Sequence, residues 1–537
     1  MIARIRWREW GFVLLLYLPV VLFYVAHYAA GQRDPYRLAT GFVQYDQPYY
    51  MANARQYVDG VTDGLRYASP FSAQEDPDTI YFQPQIALLG WLWKITGADP
   101  GVLFVLFGLV FGLLCVRTCL RVLDHVLPST ASWRRLIAYL FVWGGGLLVL
   151  VGSGYGLFHG EEVWGALVGS FRFDPANGWW FLNLGRNLVY PLEAYYHFLF
   201  FSLVLALLRK RFALATGVAA LLAFSHPFTG VATLLMLLAW AALERWYARS
   251  GEVPRWFIPS LTTILLLVLL YYGPALMSNP EHRVLMAQWK IAWTEDAITF
   301  VPAYVLVGLL AFGRLRSPQR AIGFLRSPIH RLLVVWAVTW FALENHEFAI
   351  TPVQPLHFTR GYTWSALFLI GVPFLSGALA WLRGRWSKAA VGTVVGIFSL
   401  FFILDNGIWM TLQTRANARG EGADLLVTRD QQDLFEWLAQ KVPANSLLVA
   451  NDPMTAYLAL VYTPHRAYYS HHYNTPYAGQ RYPALGAYFH GRITDPLLEQ
   501  PLLAVVYERN GAFVFADRGE RIYANGSYSV YRMPAVR

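Results

Sequence analysis

Charge is what this chain lacks most. Asp, Glu, Lys and Arg make up 14% of its 537 residues, against about 25% in an average soluble protein. That is too little to cover a water-facing surface of this size. Cysteine is scarcer still: the two present, Cys115 and Cys119, lie one helical turn apart in an apolar segment. They read as small core residues rather than a disulfide or metal pair, so no redox chemistry is implied. A net charge of +10 would suit nucleic acid, but no basic, aromatic-lined soluble module accompanies it. No internal repeat or low-complexity tract stands out.

What the chain has instead is apolar surface: 56% of it is hydrophobic and 16% aromatic. Several runs approach or exceed the roughly 17–25 residues that span a bilayer. Eleven spans are predicted, at about 10–29, 101–122, 135–152, 193–208, 212–225, 228–243, 256–275, 299–313, 330–343, 361–382 and 388–410. The expected fold is a polytopic α-helical membrane protein. Arg4, Arg6 and Arg8 precede the first run and no small-residue cleavage site follows it, so a retained span is expected rather than a signal peptide.

The loops alternate in character. One set is short and basic: Arg117/Arg121/Arg134/Arg135, Arg209-Lys210-Arg211, Arg245/Arg249/Arg255, Arg314/Arg316/Arg320/Arg326/Arg331 and Arg383/Arg385/Lys388. By the positive-inside rule these face the cytoplasm, with the N-terminus. The other set, 30–100, 153–192, 276–298 and 344–360, is longer and rich in Pro, His and Tyr. It faces outward, which in a bacterial inner membrane is the periplasm. Eleven spans that start inside end outside, so 411–537 is also extracytoplasmic. The apolar stretch 84–97 is too short to span without inverting every later loop, and reads as an interfacial or re-entrant helix.

Two domains follow from this: 1–410, a transmembrane part with a long first outer loop at 30–100, and 411–537. In the second, 430–441 has helical spacing of Leu434, Phe435, Trp437 and Leu438. Strand-like runs follow at Ser446–Ala450, Ala504–Tyr507, Ala512–Phe515 and Ser527–Tyr531. The alternation predicts a small soluble α/β domain. It carries no Gly-rich phosphate loop or nucleotide fingerprint.

The most informative stretch is 44–57, Gln-Tyr-Asp-Gln-Pro-Tyr-Tyr-Met-Ala-Asn-Ala-Arg-Gln-Tyr. It sets Asp46 just beyond the first span, at the head of a short predicted helix. A carboxylate at the lip of a membrane bundle is costly unless it pairs, caps or reacts. One reading is a helix N-cap, with Pro48 in the first turn. The other is chemistry. Here the chain resembles the GT-C class of membrane glycosyltransferases, whose first outer loop carries an acidic motif. Lipid-A aminoarabinose and protein mannosyl transferases show an Asp-Glu-x-x-Tyr-x-x-x-Ala-Arg type of pattern. Asp46, Tyr50, Ala54 and Arg55 fit that spacing, while Gln47 replaces the second acid.

The resemblance implies a sugar donor linked to a polyprenyl phosphate, an outward-facing glycan, lipid or protein acceptor, and membrane lipid around both. It implies Asp46 as the general base of a single displacement, with inversion at the anomeric carbon. A leaving polyprenyl phosphate needs cationic partners. Those available are His357 and Arg360, just before the tenth span, and His282 and Arg283 after Tyr271-Tyr272. The alternative for Arg360 is a snorkelling side chain; Lys290 could be merely solvated. Tyr50, Arg55, Glu161, Glu162 and Arg172 could shape the acceptor side.

His159-Gly160-Glu161-Glu162 could hold a divalent metal, as could Glu344, His346 and Glu347, although neither spacing matches a metal motif. Gln47 in place of a second acid argues against a metal at Asp46. Ser225-His226-Pro227 reads as a helix-breaking turn with a satisfied histidine. Trp179-Trp180 and the Tyr-rich tract Ala467–Tyr477 could stack on sugar rings or sit at a membrane interface. Two other functions remain: a polysaccharide polymerase or ligase using polyprenyl-diphosphate oligosaccharides, and a transporter. The second would place polar groups near the bilayer midplane, whereas here the charges concentrate at span ends.

Overall fold

The computed structural model describes residues 7–127, 133–175, 177–179, 183–248, 251–288, 294–421, 425–511 and 513–535. Arg4, Arg6, Trp180, Arg249, Lys290 and Ala512 lie outside them. Among the described residues, eight helices are long and apolar enough to cross a membrane: Trp7–Arg33, Pro100–Val126, Pro191–Leu208, Pro227–Tyr247, Phe257–Ala275, Ala297–Leu315, Pro355–Arg385 and Lys388–Arg419. Two bent pairs raise the number to ten if each is one span. They are Arg134–Trp143 with Leu148–Phe158, bent by 56°, and Pro318–Leu325 with Pro328–Glu344, bent by 108°. The remaining expected span, 212–225, is a helix of 14 residues. At 1.5 Å per residue it reaches about 21 Å, short of the roughly 30 Å hydrocarbon core. The chain is an integral membrane protein in which the eleven expected spans correspond to eight long apolar helices, two bent pairs and one short helix.

The chain folds into two compact units. The first comprises Met1–Phe23, Gly108–Val268 and Ile291–Arg415. Its break at Gly144-Gly145-Gly146 has an identifiable cause. Asp405, fully buried on the last long helix, accepts the backbone N–H groups of Gly146 (3.0 Å), Leu148 (3.1 Å) and Val149 (2.9 Å). Its neighbour Asn406 donates to the carbonyls of Trp143 and Gly144, both at 2.9 Å. Two side chains thus satisfy the backbone groups that the interrupted helix leaves bare. At the 225–227 turn, Pro227 opens the next helix and His226 caps it, accepting from the Thr229 N–H at 3.2 Å. Ion pairs tie helix ends: Arg121 to Glu9 at 2.6 Å, Arg134 to Asp124, and the buried Arg331 to Glu244 at 2.5 Å. Cys115 and Cys119 are buried free thiols, 3.9 Å apart.

The second unit joins three stretches, Tyr24–Phe107, Leu269–Lys290 and Ala416–Arg537. Strand Arg37–Ala39, just after the first span, pairs antiparallel with Leu426–Thr428, just after the last. A five-stranded mixed sheet follows. Leu447–Ala450 runs parallel to Arg466–Ala467 on one side and to Leu502–Tyr507 on the other. Tyr528–Met533 then pairs antiparallel with Leu502–Tyr507 and with the outer strand Glu520–Ala524. Helices Arg429–Lys441 and Pro453–Tyr462 are capped by Thr428 and Asp452, whose side chains accept from backbone N–H groups of the first turn.

The stretch 513–515 is not the strand its alternation suggested. Phe513 and Phe515 are buried and Val514 is exposed, but the chain there is a turn leading into the 3-10 helix Ala516–Arg518. Its edge position goes to Glu520–Ala524, whose exposed Glu and Arg hide the strand pattern. The stretch 84–97 forms the helix Pro84–Thr96. Gly90 lets it approach helix Gln47–Asp59: a Cβ there would lie 2.6 Å from Tyr57 Cβ and 2.7 Å from the Ala54 carbonyl oxygen.

Candidate functional site

Asp46 occupies the N-cap position of helix Gln47–Asp59, with Pro48 in the first turn, but its side chain makes no capping hydrogen bond. Its backbone is helical there (φ −81°, ψ −6°), which turns the carboxylate away from the first-turn N–H groups. The Gln47 side chain accepts from the Val43 N–H, in the loop before the helix, at 2.7 Å. The Asp46 carboxylate is left for other partners. Oδ2 accepts from Gln44 Nε2 at 3.1 Å, and Oδ1 lies 3.3 Å from His471 Nε2. The Asp46 side chain is 34% exposed while that of His471 is 1% exposed, so one face of the carboxylate is open.

His471 sits in the loop between strand Arg466–Ala467 and helix Ala478–Phe489. Rings surround it: Tyr45 at 4.6 Å between centroids, Tyr457 at 4.9 Å, Phe71 at 5.8 Å, Tyr473 at 6.1 Å and Tyr49 at 6.2 Å. Its Nδ1 accepts the Tyr473 backbone N–H at 3.1 Å. A backbone amide can only donate, so neutral His471 carries its proton on Nε2, facing Asp46. Burial pushes the imidazole below its ordinary 6.5, against the opposing pull of Asp46. Burial likewise raises the phenol of Tyr457, and the Asp46 charge adds to it. Tyr457 donates to the Tyr45 carbonyl at 3.0 Å, and the Tyr45 hydroxyl accepts the His472 N–H at 3.1 Å. The arrangement holds the Asp46 carboxyl group between a buried imidazole donor and an exposed face.

The other predicted residues fall in distinct places. Tyr50, one turn into the helix, stacks on Phe104 with centroids 6.2 Å apart. Arg55 lies beyond it, bonded to Asp59 at 3.0 Å and to the Val461 carbonyl at 2.9 Å, over the Trp93 ring. It joins the Asp46 helix to Pro453–Tyr462. His282, in helix Pro280–Gln288, is buried against Tyr81, whose hydroxyl lies 3.1 Å from Nδ1; Arg283 beside it is exposed. All of these belong to the second unit.

In the first unit, Arg360 is buried and ion-paired with Glu193, and its Nη2 lies 2.9 Å from His357 Nδ1. The Arg360 carbonyl oxygen accepts from His197 Nε2 at 2.8 Å. Arg360 adopts a positive φ of 28°, followed by Gly361 at 72°. That backbone aims the guanidinium at Glu193. Glu161 makes a two-pronged ion pair with Arg172, both contacts 2.6 Å, which holds the Glu161 carboxyl below its usual range. Glu162 is exposed at the start of helix Val163–Val168. Glu344 accepts from Tyr304 at 3.2 Å and Thr363 at 3.1 Å, while His346 accepts the Val353 N–H at 2.8 Å. Trp179 meets Trp409 edge-on at 5.1 Å. Among the described residues, no group of three or more His, Cys, Asp or Glu side chains could hold a metal ion.

Solved structures place this architecture. ArnT from Cupriavidus metallidurans bound to undecaprenyl phosphate superposes with a TM-score of 0.50 at 12% identity, covering 97% of this chain and 98% of that one. Its apo state gives 0.50 at 13%, covering 97% of each chain. An Archaeoglobus fulgidus oligosaccharyltransferase in complex with Zn and sulfate gives 0.50 at 11%, over 97% of this chain and 73% of that one. The fold is that of the GT-C class. No protein-family model and no curated protein matches the sequence. The GT-C fold therefore rests on geometry, which agrees with the Asp46–Arg55 pattern in the first loop.

Sequence reasoning singled out Asp46 but missed His471. The imidazole lies inside the Tyr-rich tract Ala467–Tyr477, and 425 positions of chain separate it from its partner. The paired His471-His472 among tyrosines was the one available signal.

Proposed function

We propose that this protein is a membrane glycosyltransferase of the GT-C type, moving a sugar from a polyprenyl-phosphate donor to an outward-facing glycan, lipid or protein. The observation that carries this reading is Asp46: a half-open carboxylate in the first loop of a GT-C fold, freed from capping its helix. In the proposed reaction Asp46 takes the proton of the acceptor hydroxyl as its oxygen attacks the anomeric carbon, and the sugar–phosphate bond breaks with inversion. The bond's electron pair leaves on the lipid phosphate. A neutral alcohol is a weak nucleophile, so the base is needed at that step.

Undecaprenyl phosphate in the C. metallidurans ArnT structure supports a lipid phosphate as the donor's leaving group. Charge on that group is stabilised by cations. Arg283 with His282, and Arg360 with His357, are the proposed candidates, each tested by its own effect on donor KM. Tyr50, one turn from Asp46, is proposed to shape the acceptor side. A divalent metal is also proposed: an oligosaccharyltransferase of similar fold was solved with Zn, and chelation tests it directly. By the loop charges, the N-terminus is proposed to be cytoplasmic and 411–537 periplasmic in a bacterial inner membrane.

The test is transfer of radiolabelled mannose or aminoarabinose from undecaprenyl phosphate in membranes containing the protein. Transfer that depends on the protein and disappears in Asp46→Asn supports the reading. Full transfer by a folded Asp46→Asn protein removes Asp46 as the base.

A further inference from the structure

Asp46 and His471 meet across most of the length of the chain, and the contact has a definite polarity. The Tyr473 N–H occupies His471 Nδ1 at 3.1 Å, and Asn474 Nδ2 lies 3.0 Å from the same atom. The ring is thereby left one donor, Nε2–H, and that donor faces Asp46 Oδ1 at 3.3 Å. The side chain is 1% exposed and surrounded by five aromatic rings. A histidine needed only for packing would not require its tautomer fixed from behind.

We propose that His471 is a positioning residue for Asp46: its Nε2–H holds Oδ1, fixes the plane of the carboxylate and leaves the lone pairs of its open face to take the acceptor proton. The inference rests on the reading of Asp46 as base. His471 holds Oδ1 and Gln44 holds Oδ2, while the Asp46 side chain stays 34% exposed. The proton leaving the acceptor oxygen goes to the Asp46 carboxylate at that exposed face, and His471 keeps its own proton throughout. The C-terminal region thus completes the first-loop site.

The titratable groups facing the imidazole are Asp46, Tyr45 and Tyr49 from the first loop, Tyr457 from helix Pro453–Tyr462, and His472 and Tyr473 from its own loop. A hydrogen bond to an ionised carboxylate favours ionisation, so losing it raises the carboxyl pKa. His471→Phe, which keeps a ring but removes the donor, should move the acid limb of the kcat/KM profile to higher pH. It should also lower kcat about 100-fold, the scale of a misaligned reacting group, with donor KM nearly unchanged. His471→Gln, which retains an N–H donor, should recover most of kcat.

The assay is radiolabelled sugar transfer from undecaprenyl phosphate, with thermal unfolding of the purified protein in detergent as the folding control. If Asp46→Asn is inactive while His471→Phe, folded, keeps wild-type kcat and the same acid limb, the positioning role is wrong and the base survives. If Asp46→Asn itself is fully active, the base reading is wrong. If His471→Phe does not fold, His471→Gln against His471→Leu decides: equal kcat and equal acid limbs overturn the proposal.

Discussion

Glu193 and Arg360 form a buried ion pair in which each side chain is 4% exposed. Glu193 opens one span, and Arg360 lies between the 3-10 turn Pro355–Phe358 and the helix Tyr362–Arg385 of another. Removing one partner of such a pair leaves an uncompensated charge, at a cost of about 3–5 kcal/mol. Glu193→Gln and Arg360→Gln should each lower the unfolding free energy in detergent by that amount, read from the shift of the unfolding midpoint. The double variant should fall well short of their sum. Additive losses would show that the two side chains do not act as a pair.

The same pair makes a second prediction about anion binding. With Glu193 present, the Arg360 guanidinium is already neutralised, so a lipid phosphate must compete for it. Glu193→Gln should therefore tighten binding of [32P]undecaprenyl phosphate in a filter or flotation assay, and Arg360→Gln should weaken it. Unchanged binding in both variants would remove Arg360 from the donor site and leave it a structural cation.

Asp46→Asn preserves size and the hydrogen bond from Gln44 but loses the base. General-base catalysis is worth about 10²- to 10⁴-fold, so kcat should fall by that factor. Binding of undecaprenyl phosphate should persist, since no phosphate contact is removed. Because the side chain does not cap its helix, thermal stability should change little. A large loss of stability would mean that Asp46 matters to the fold more than its hydrogen bonds indicate.

The spans were legible because apolar runs and basic loops obey bilayer physics, and where the reading differed the cause was local. A glycine run breaks 135–152, and Asp405 with Asn406 makes that break affordable; neither residue is adjacent to it in sequence. Asp46 was legible because it follows a span and heads a helix. His471 was not, because its partner is set by how the first loop packs with the C-terminal sheet, and no periodicity records that. The ion pair of Arg360 with Glu193 was hidden for the same reason. Each residue alone reads as a span-end side chain.

His471, His282 and His465 are all pushed below the ordinary histidine value by burial. A lowered folded-state pKa means that the unfolded chain binds the proton first as pH falls. Stability from these groups is complete above about pH 6.5 and declines as pH drops toward their folded values. Each contributes a slope of at most about 1.4 kcal/mol per pH unit in that window. Unfolding midpoints measured from pH 7.5 to 5 should fall, and His471→Gln should flatten the curve by one proton's share. A midpoint that rises on acidification would reverse the sign of the argument.

Asp405 gives the sharpest test of the broken span. Its two carboxylate oxygens accept three buried N–H groups, from Gly146, Leu148 and Val149. Asp405→Ala leaves all three without a partner, and each unsatisfied buried group costs about 1–3 kcal/mol. The variant should lose at least about 3 kcal/mol of stability, seen as a large drop in unfolding midpoint or in folded yield. Asp405→Asn keeps one accepting oxygen and should retain part of that. Amide exchange at Gly146, Leu148 and Val149 should rise in the alanine variant ahead of the neighbouring helix Arg134–Trp143, because only their acceptor is gone. Exchange that rises uniformly along both helices would mean that Asp405 holds the fold by packing rather than by sealing the break.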